Sequence, residues 1–288
     1  MAPSPETASP LRTLTDTLSQ NEESIRPLPE ARYVAAHRAF EQASTQQAQI
    51  RRHIEAEVNQ LVQAGRAPLD VLSVGCGCGL LDRPLLAHLS DSVASFTGID
   101  PNASALAHCE HALDADPALP PRHVECTRVE DFAPDRRYDL VYCSHVFYYL
   151  DDRAAALRHM QSLLRDAGTL VIVHAPKAAM NTLAQVFWRE HAQADFFAED
   201  LRRLLHETAP PALASHSIDA GIPRALFSDD TPQGTLLLEF LIQAEWPPLS
   251  PTIKELVQAY LDRHAQPLST RAVLPHPATT FTLRSDTQ

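Results

Sequence analysis

The chain has no apolar run of the roughly 18 to 20 residues needed to cross a bilayer. Its opening stretch, MAPSPETASPLRTLTDTLSQNEES, also lacks the apolar core of a secretory leader. A cytoplasmic protein without a membrane partner is expected. Cations are few, with 24 Lys and Arg against 36 Asp and Glu in 288 residues, a formal charge of -12. They are scattered rather than clustered, which argues against a phosphate backbone as partner and leaves small molecules as the expected substrates. The five cysteines, Cys76, Cys78, Cys109, Cys126 and Cys143, are odd in number and form no CxxC pair. They read as reduced thiols, with no disulfide framework and no structural metal. Glycine is scarce too, at eight residues, so a place where three of them crowd together carries information.

That place lies in PLDVLSVGCGCGLLDRPLLAHLSDSVASFTGIDP, Pro68 to Pro101. Asp70 to Val74 reads as a buried parallel strand and Leu80 to Leu89 as the following helix. Between them Gly75, Gly77 and Gly79 permit a turn whose backbone a ligand can approach closely. A second apolar strand, Ala94 to Ile99, ends at Asp100, where a carboxylate can accept both ribose hydroxyls of an adenosine. Dinucleotide-binding turns share both features but space their glycines more widely and seat a pyrophosphate on the helix N-terminus. The tighter GCGCG suits an adenosine ligand without phosphate, and S-adenosylmethionine is the expected cofactor.

Composition, 44% hydrophobic and 21% charged, supports one α/β domain with an insertion. Residues 1–30, rich in Pro, Ser and Thr, read as a flexible N-terminal arm. Residues 31–66 read as an N-terminal helical lid over the cofactor entrance, with helices Arg32 to Ser44 and Gln46 to Ala64. Residues 67–288 read as the adenosylmethionine-binding domain. There a helix is predicted over Asn102 to Ala115, strands over His123 to Cys126 and Tyr138 to Ser144, a helix over Asp151 to Arg165 and a strand over Thr169 to His174. This alternation predicts a Rossmann-like, doubly wound, mostly parallel sheet with ligands beyond its carboxyl edge. Gly75, Asp100, Arg128 and Ser144 all fall on that edge. A substrate-pocket insertion of about 177–265 follows, with helices at Asn181 to His191, Glu199 to His206, Thr235 to Ala244 and Thr252 to His264, a poorly patterned stretch up to Gln233, and a last strand near Ala278 to Leu283.

LSVGCGCG, GIDP, YDLVYCSHVFYYL and TLLLEFLIQAEW together resemble the class I adenosylmethionine-dependent methyltransferases, in particular the family typified by histamine N-methyltransferase. YVAAHRAFEQAST, Ser73 where most class I enzymes place an acidic residue, and the pair Tyr148 and Tyr149 are its more specific parts. The resemblance implies that Gly75, Cys76, Gly77 and Gly79 contact the methionine part, that Asp100 and Pro101 flank the ribose, and that Ser144 lines the adenosine. It places Arg128 or Val129 at the adenine edge and Ala105 where that family has a polar contact. The family's amine-gripping glutamate matches Gln46, its imidazole-contacting glutamine matches His145, and its late asparagine matches Pro277 beside His276. Loss of a carboxylate paired with an ammonium in a desolvated site costs on the order of 2 to 5 kcal/mol, so histamine itself is not the expected acceptor.

Methyl transfer needs a nucleophile held about 3 Å from the methyl carbon, and an amine must be neutral when it attacks. His145 reads either as the proton acceptor or as a hydrogen-bonded packing histidine. Tyr148 and Tyr149 read as aromatic faces toward a cation or as junction packing. Tyr33, His37 and Phe40 share a helix face and read as core packing or substrate contacts, and His174 lies near enough to the carboxyl edge to reach an acceptor. HCEH, His108 to His111, has no evident third ligand for a metal. The predicted function is N-methylation of a small amine or amino-acid-like acceptor. Two alternatives stay open. In one, the cofactor's amino group attacks its own γ-carbon, giving azetidine-2-carboxylate and methylthioadenosine; in the other, the protein is a non-catalytic binding scaffold. The sequence leaves the oligomeric state open.

Overall fold

A computed structural model describes residues 10–20, 25–187, 196–208, 213–268 and 270–285. The chain divides into two compact units: residues 1–46, 177–195 and 219–277 form the first, and residues 47–176, 196–218 and 278–288 the second.

The second unit is built on α3 (Gln46–Gln63, of which Gln46 falls in the first unit), β1 (Leu69–Val74), α4 (Asp82–Leu89), β2 (Val93–Ile99), α5 (Ala103–Asp114), β3 (Arg122–Glu125), β4 (Tyr138–Ser144), α6 (Arg153–Ser162), β5 (Leu164–His174), α8 (Ala198–Thr208), β6 (Leu213–Ile218) and β10 (Ala278–Arg284). Its strands form one seven-stranded sheet, ordered β3-β2-β1-β4-β5-β10-β6. The β1–β2, β1–β4, β2–β3 and β4–β5 pairs are parallel, whereas β10 runs antiparallel to both β5 and β6. The expected α/β, Rossmann-like, mostly parallel sheet is therefore present. β1 and β4 are apolar almost throughout because both of their faces are covered, so they do not alternate. Leu72, Val141, Leu157, Leu170, Ile172, Leu201 and Phe281 form the centre of this core. Truncating one such leucine to alanine costs about 2 to 5 kcal/mol.

The helix predicted to reach Arg165 ends at Ser162, and β5 begins five residues before the predicted Thr169. Arg165 explains the difference. From the start of β5 its guanidinium reaches Asp139 on β4 at 2.5 Å and Asp70 on β1 at 2.6 Å, and Arg66 adds a 2.8 Å bond to Asp139. The register slips between Tyr138 and Leu140, with Ala167 at a left-handed φ of 56°, which absorbs the extra residues.

The first unit holds α1 (Pro10–Ser19), α2 (Glu30–Ala43), α7 (Ala179–Phe187), α9 (Pro232–Ile242), α10 (Pro251–His264) and a small sheet ordered β7-β9-β8, made of β7 (Gly221–Pro223), β8 (Gln266–Leu268) and β9 (Arg271–Pro275). Of the arm expected over 1–30, residues 1–9 and 21–24 lie outside the described residues, while α1 is helical and buries Leu14 and Leu18 among Phe227, Leu238 and Tyr260. Spacing of three and four between Leu11, Leu14 and Leu18 supplies the apolar stripe. The 31–66 segment does not stay together, since α2 belongs to the first unit and nearly all of α3 to the second. The 177–265 insertion is also interrupted, because α8 and β6 join the second unit. The stretch read as poorly patterned carries β6 and β7, and β8 and β9 were not expected. Their three to six residues are too short and too polar to show a clean period. Of the predicted helix Asn181 to His191, residues 188–191 lie outside the described residues. Among the described residues no helix is long and apolar enough to cross a membrane.

Candidate active site

Three glycines make the turn between β1 and α4, and all three adopt left-handed φ values: 72° at Gly75, 52° at Gly77 and 72° at Gly79. Two of them are glycine for packing. A Cβ on Gly75 would lie 2.4 Å from Val146 Cγ2, and one on Gly79 would lie 2.9 Å from Cys109 Sγ. Gly77 differs, because a Cβ there meets nothing within 4 Å. Its open face is where a ligand can lie against the backbone.

Asp100 stands where the sequence puts it, just past β2. Its Oδ2 accepts the Gly77 amide at 2.9 Å and its Oδ1 the Asn102 amide at 2.8 Å. Burial raises its pKa, and these two amides pull the other way. Each carboxylate oxygen accepts one amide and keeps a lone pair for a hydroxyl. Asn102 also caps α5 by accepting the Ala105 amide, which holds Pro101 and Ala105 beside the carboxylate. At the end of β4, Ser144 Oγ is buried and has no hydrogen-bond partner among the described residues. A buried hydroxyl left so is costly, and a polar ligand would satisfy it. These residues fit an adenosyl ligand.

The remaining cofactor candidates are less direct. Cys76 is buried in the turn, its thiol pushed up by a hydrogen bond to Cys109 and by burial. Val129 is buried, while Arg128 is exposed and turns its guanidinium to Asp151 at 2.9 Å and Glu130 at 3.5 Å.

Directly after Ser144, His145 takes a left-handed φ of 58°, uncommon outside glycine. Its amide is fixed by the Val173 carbonyl at 2.9 Å, and its ring lies parallel to Tyr148 with centroids 6.4 Å apart. Strain of this kind concentrates at functional sites. Behind it the rings of Tyr148 and His174 come to 4.2 Å, with Phe147 and Phe196 flanking His174. His174 is fully buried, its Nε2 bonded to the Phe196 carbonyl at 2.9 Å and its Nδ1 without a partner among the described residues. Burial and the neighbouring His145 lower its pKa to about 3, so the ring is neutral. The Tyr148 hydroxyl is raised by burial and is hydrogen-bonded by the Ala175 backbone. Tyr149 does not join this cluster as a buried member: it is 64% exposed and meets Tyr148 edge-on at 6.2 Å.

The other expected substrate residues lie in the first unit. Tyr33 stacks on His37 and His37 on Phe240, Phe240 meets Phe40 at a tilt, and the His276 ring meets Phe40 edge-on at 5.1 Å. Tyr33 and His37 are half-buried, Phe40 and His276 buried. Burial lowers the His37 pKa to about 4. The Gln46 side-chain amide is committed to structure, donating to the His276 and Pro277 carbonyls at 2.8 and 3.2 Å.

Sequence reasoning passed over Asp82 and Tyr142, which meet at 2.5 Å in the second unit, and Glu41, a buried carboxylate 3.8 Å from His37 in the first. The available signal was an acid inside the apolar run LLDRPLL and, at Glu41, an acid directly after Phe40 in HRAFEQA. Among the described residues no three His, Cys, Asp or Glu side chains are grouped to hold a metal.

A sheet of this order with a glycine turn and a ribose-competent acid at adjacent strand ends defines the class I methyltransferase fold, whose methyl donor is S-adenosylmethionine. Residues 72–170 match the family model described as a methyltransferase domain. Malonyl-[acyl-carrier protein] O-methyltransferase 1 of Ilyobacter polytropus is 26% identical over 123 residues, 43% of this chain and 44% of that protein. Ubiquinone biosynthesis O-methyltransferase of Rhodopseudomonas palustris is 31% identical over 137 residues, 48% of each chain. The chain thus spans about half the length of these relatives. In fold it is similar to the plantazolicin methyltransferase BamL, solved in complex with a triazolic desmethylPZN analog and S-adenosylhomocysteine, at TM-score 0.55 and 15% identity over 96% of this chain and 97% of that one. It is also similar to YcgJ of Bacillus subtilis, at TM-score 0.55 and 13% identity over 81% of this chain and 99% of that one.

Proposed function

We propose that the protein transfers a methyl group from S-adenosylmethionine to a small amine or amino-acid-like acceptor. The observation that carries this reading is the pairing of an open glycine face at Gly77 with the Asp100 carboxylate 2.9 Å from its amide. In this reading Gly75, Cys76, Gly77 and Gly79 hold the methionine part, Asp100 and Pro101 the ribose, and Ala105, Val129 and Ser144 the adenosine, with Arg128 at its rim. The donor supplies a methyl carbon activated by its sulfonium. What the chain adds is position: a nucleophile held in line and kept from water.

His145 is assigned the proton. Its strained backbone fixes the ring at the carboxyl edge, and an imidazole takes a proton from an ammonium near neutral pH. The neutral His174 and Tyr148 wall the ring, and Tyr149 flanks them from outside. Within the first unit we assign the half-buried faces of Tyr33 and His37 to a cationic acceptor, since stacked rings attract ammonium groups, with Phe40, Gln46 and His276 shaping them from behind. Ser73 and the Tyr148–Tyr149 pair support kinship with the histamine N-methyltransferase-like family, with a different acceptor because Gln46 replaces its glutamate.

The test is incubation of the full chain with S-adenosylmethionine, alone and with a panel of amines. Hydroxyl-bearing acceptors belong in the panel because the two relatives are named O-methyltransferases. Adenosylhomocysteine that forms only with an amine supports the proposal. Methylthioadenosine formed without acceptor overturns it in favour of cyclisation, and binding without either product overturns it in favour of a scaffold.

A further inference from the structure

Asp82 opens α4 three residues past Gly79 and is only 1% exposed. The Tyr142 hydroxyl of β4 donates to its Oδ1 at 2.5 Å, and the Ser73 hydroxyl of β1 bonds it as well. Among the described residues no cation pairs with it. The adjacent Arg83 reaches instead toward Asp116, at 3.8 Å. The remaining charged neighbour is a second acid, Asp100 beyond β2, and the Cys76 thiol in the turn feels both carboxylates. Among the described residues the groups recorded around Asp82 are thus two hydroxyls, a thiol and another acid, with no base among them. The first-turn amides of α4 supply a partial positive charge only. A carboxylate so enclosed is costly to ionise without a counter-charge, and burial accordingly raises its pKa.

We infer that Asp82 is a positioning counter-charge beneath the glycine turn, which selects a cationic adenosyl ligand over the neutral thioether of the same shape. The inference rests on the reading that the turn holds S-adenosylmethionine. That donor carries an ammonium, a carboxylate and a sulfonium, a net single positive charge, whereas S-adenosylhomocysteine carries none. When the cation enters, the Asp82 carboxyl gives its proton to solvent and the site's charge balances. When the methyl leaves, the sulfur becomes neutral and the reason for holding the nucleoside weakens. Asp82 acts through space and through Ser73 and Tyr142, so it would favour product release without touching the reacting atoms.

Calorimetric titration of the full chain with each nucleoside tests this. Asp82→Asn keeps the shape and an acceptor for Tyr142; it should weaken S-adenosylmethionine by about tenfold and S-adenosylhomocysteine by less than about twofold. An equal loss for both ligands means a structural role alone and overturns the inference. The unaltered protein supplies a second measurement, free of any folding defect. In buffers of different ionisation enthalpy at mildly acidic pH, S-adenosylmethionine should release more protons than S-adenosylhomocysteine, and equal proton counts overturn the inference. If neither ligand binds the unaltered protein, the cradle reading falls and takes this inference with it.

Discussion

The Gly77 amide and the Asp100 carboxylate are joined by a 2.9 Å hydrogen bond, which ties the turn after β1 to the end of β2. The residue that would recognise the ribose therefore also shapes the turn beside it, and the two roles separate under substitution. Asp100→Asn loses the charge and one acceptor but keeps the other, whereas Asp100→Ala loses both. Adenosylmethionine affinity should fall by about tenfold in the alanine variant and less in the asparagine variant, since a hydrogen bond to a charged group contributes about 1.5 to 3 kcal/mol. Isothermal titration giving unchanged affinity for both would misplace the ribose.

Gly75 and Gly77 should respond differently to alanine. Gly75→Ala forces a Cβ into Val146 at a left-handed φ, for a loss of about 2 kcal/mol or more in stability. Gly77→Ala has room and carries only the backbone strain, about 1 to 2 kcal/mol, but puts a methyl on the open face. Thermal melts should therefore mark Gly75 as the structural glycine, and ligand titrations should mark Gly77 as the binding one. The reverse order would mean that the ligand does not lie over Gly77.

His145→Ala should lower turnover by about a hundredfold, within the usual range for a lost proton acceptor, and leave adenosylmethionine affinity nearly intact. Because asparagine tolerates a positive φ, His145→Asn separates backbone strain from chemistry. If the asparagine variant turns over normally, the ring is packing and the proton goes elsewhere.

Acid should destabilise the fold through His174. Its folded-state pKa of about 3 lies below the ordinary value of 6.5, so on acidification the unfolded chain takes up a proton that the folded one refuses. Stability is intact above 6.5 and is lost as pH falls from there toward about 3, by at most about 1.4 kcal/mol per pH unit for this one group. His37 adds a similar loss down to about 4. Urea melts across that window should show a shallower slope for His174→Gln than for the parent. Identical slopes would mean that His174 is protonated in the fold.

Much of the second unit was legible because its chemistry is local. A glycine needed for left-handed φ, a strand apolar on both faces and an acid at a strand end each announce themselves within a few residues, and Gly75, Val74 and Asp100 lie where the pattern puts them. What failed depends on distant partners. Arg165 looked like the last turn of a helix because nothing nearby reveals that Asp70, 95 positions away, would claim it for a strand. Nor does the sequence near Gln46 reveal that its side-chain amide donates to carbonyls 230 and 231 positions later. Asp82 was invisible for the same reason, since Tyr142 lies 60 positions downstream.

β10 has a consequence for how the protein is made. Among the described residues it is the strand that bridges β5 and β6, and its residues 278–284 follow every other described strand. A nascent polypeptide halted before Ala278 holds Leu170 to Val173 along a bare edge, the kind of edge that recruits strands from other molecules. The β5 edge therefore stays unpaired by β10 until ribosomal synthesis has passed Arg284.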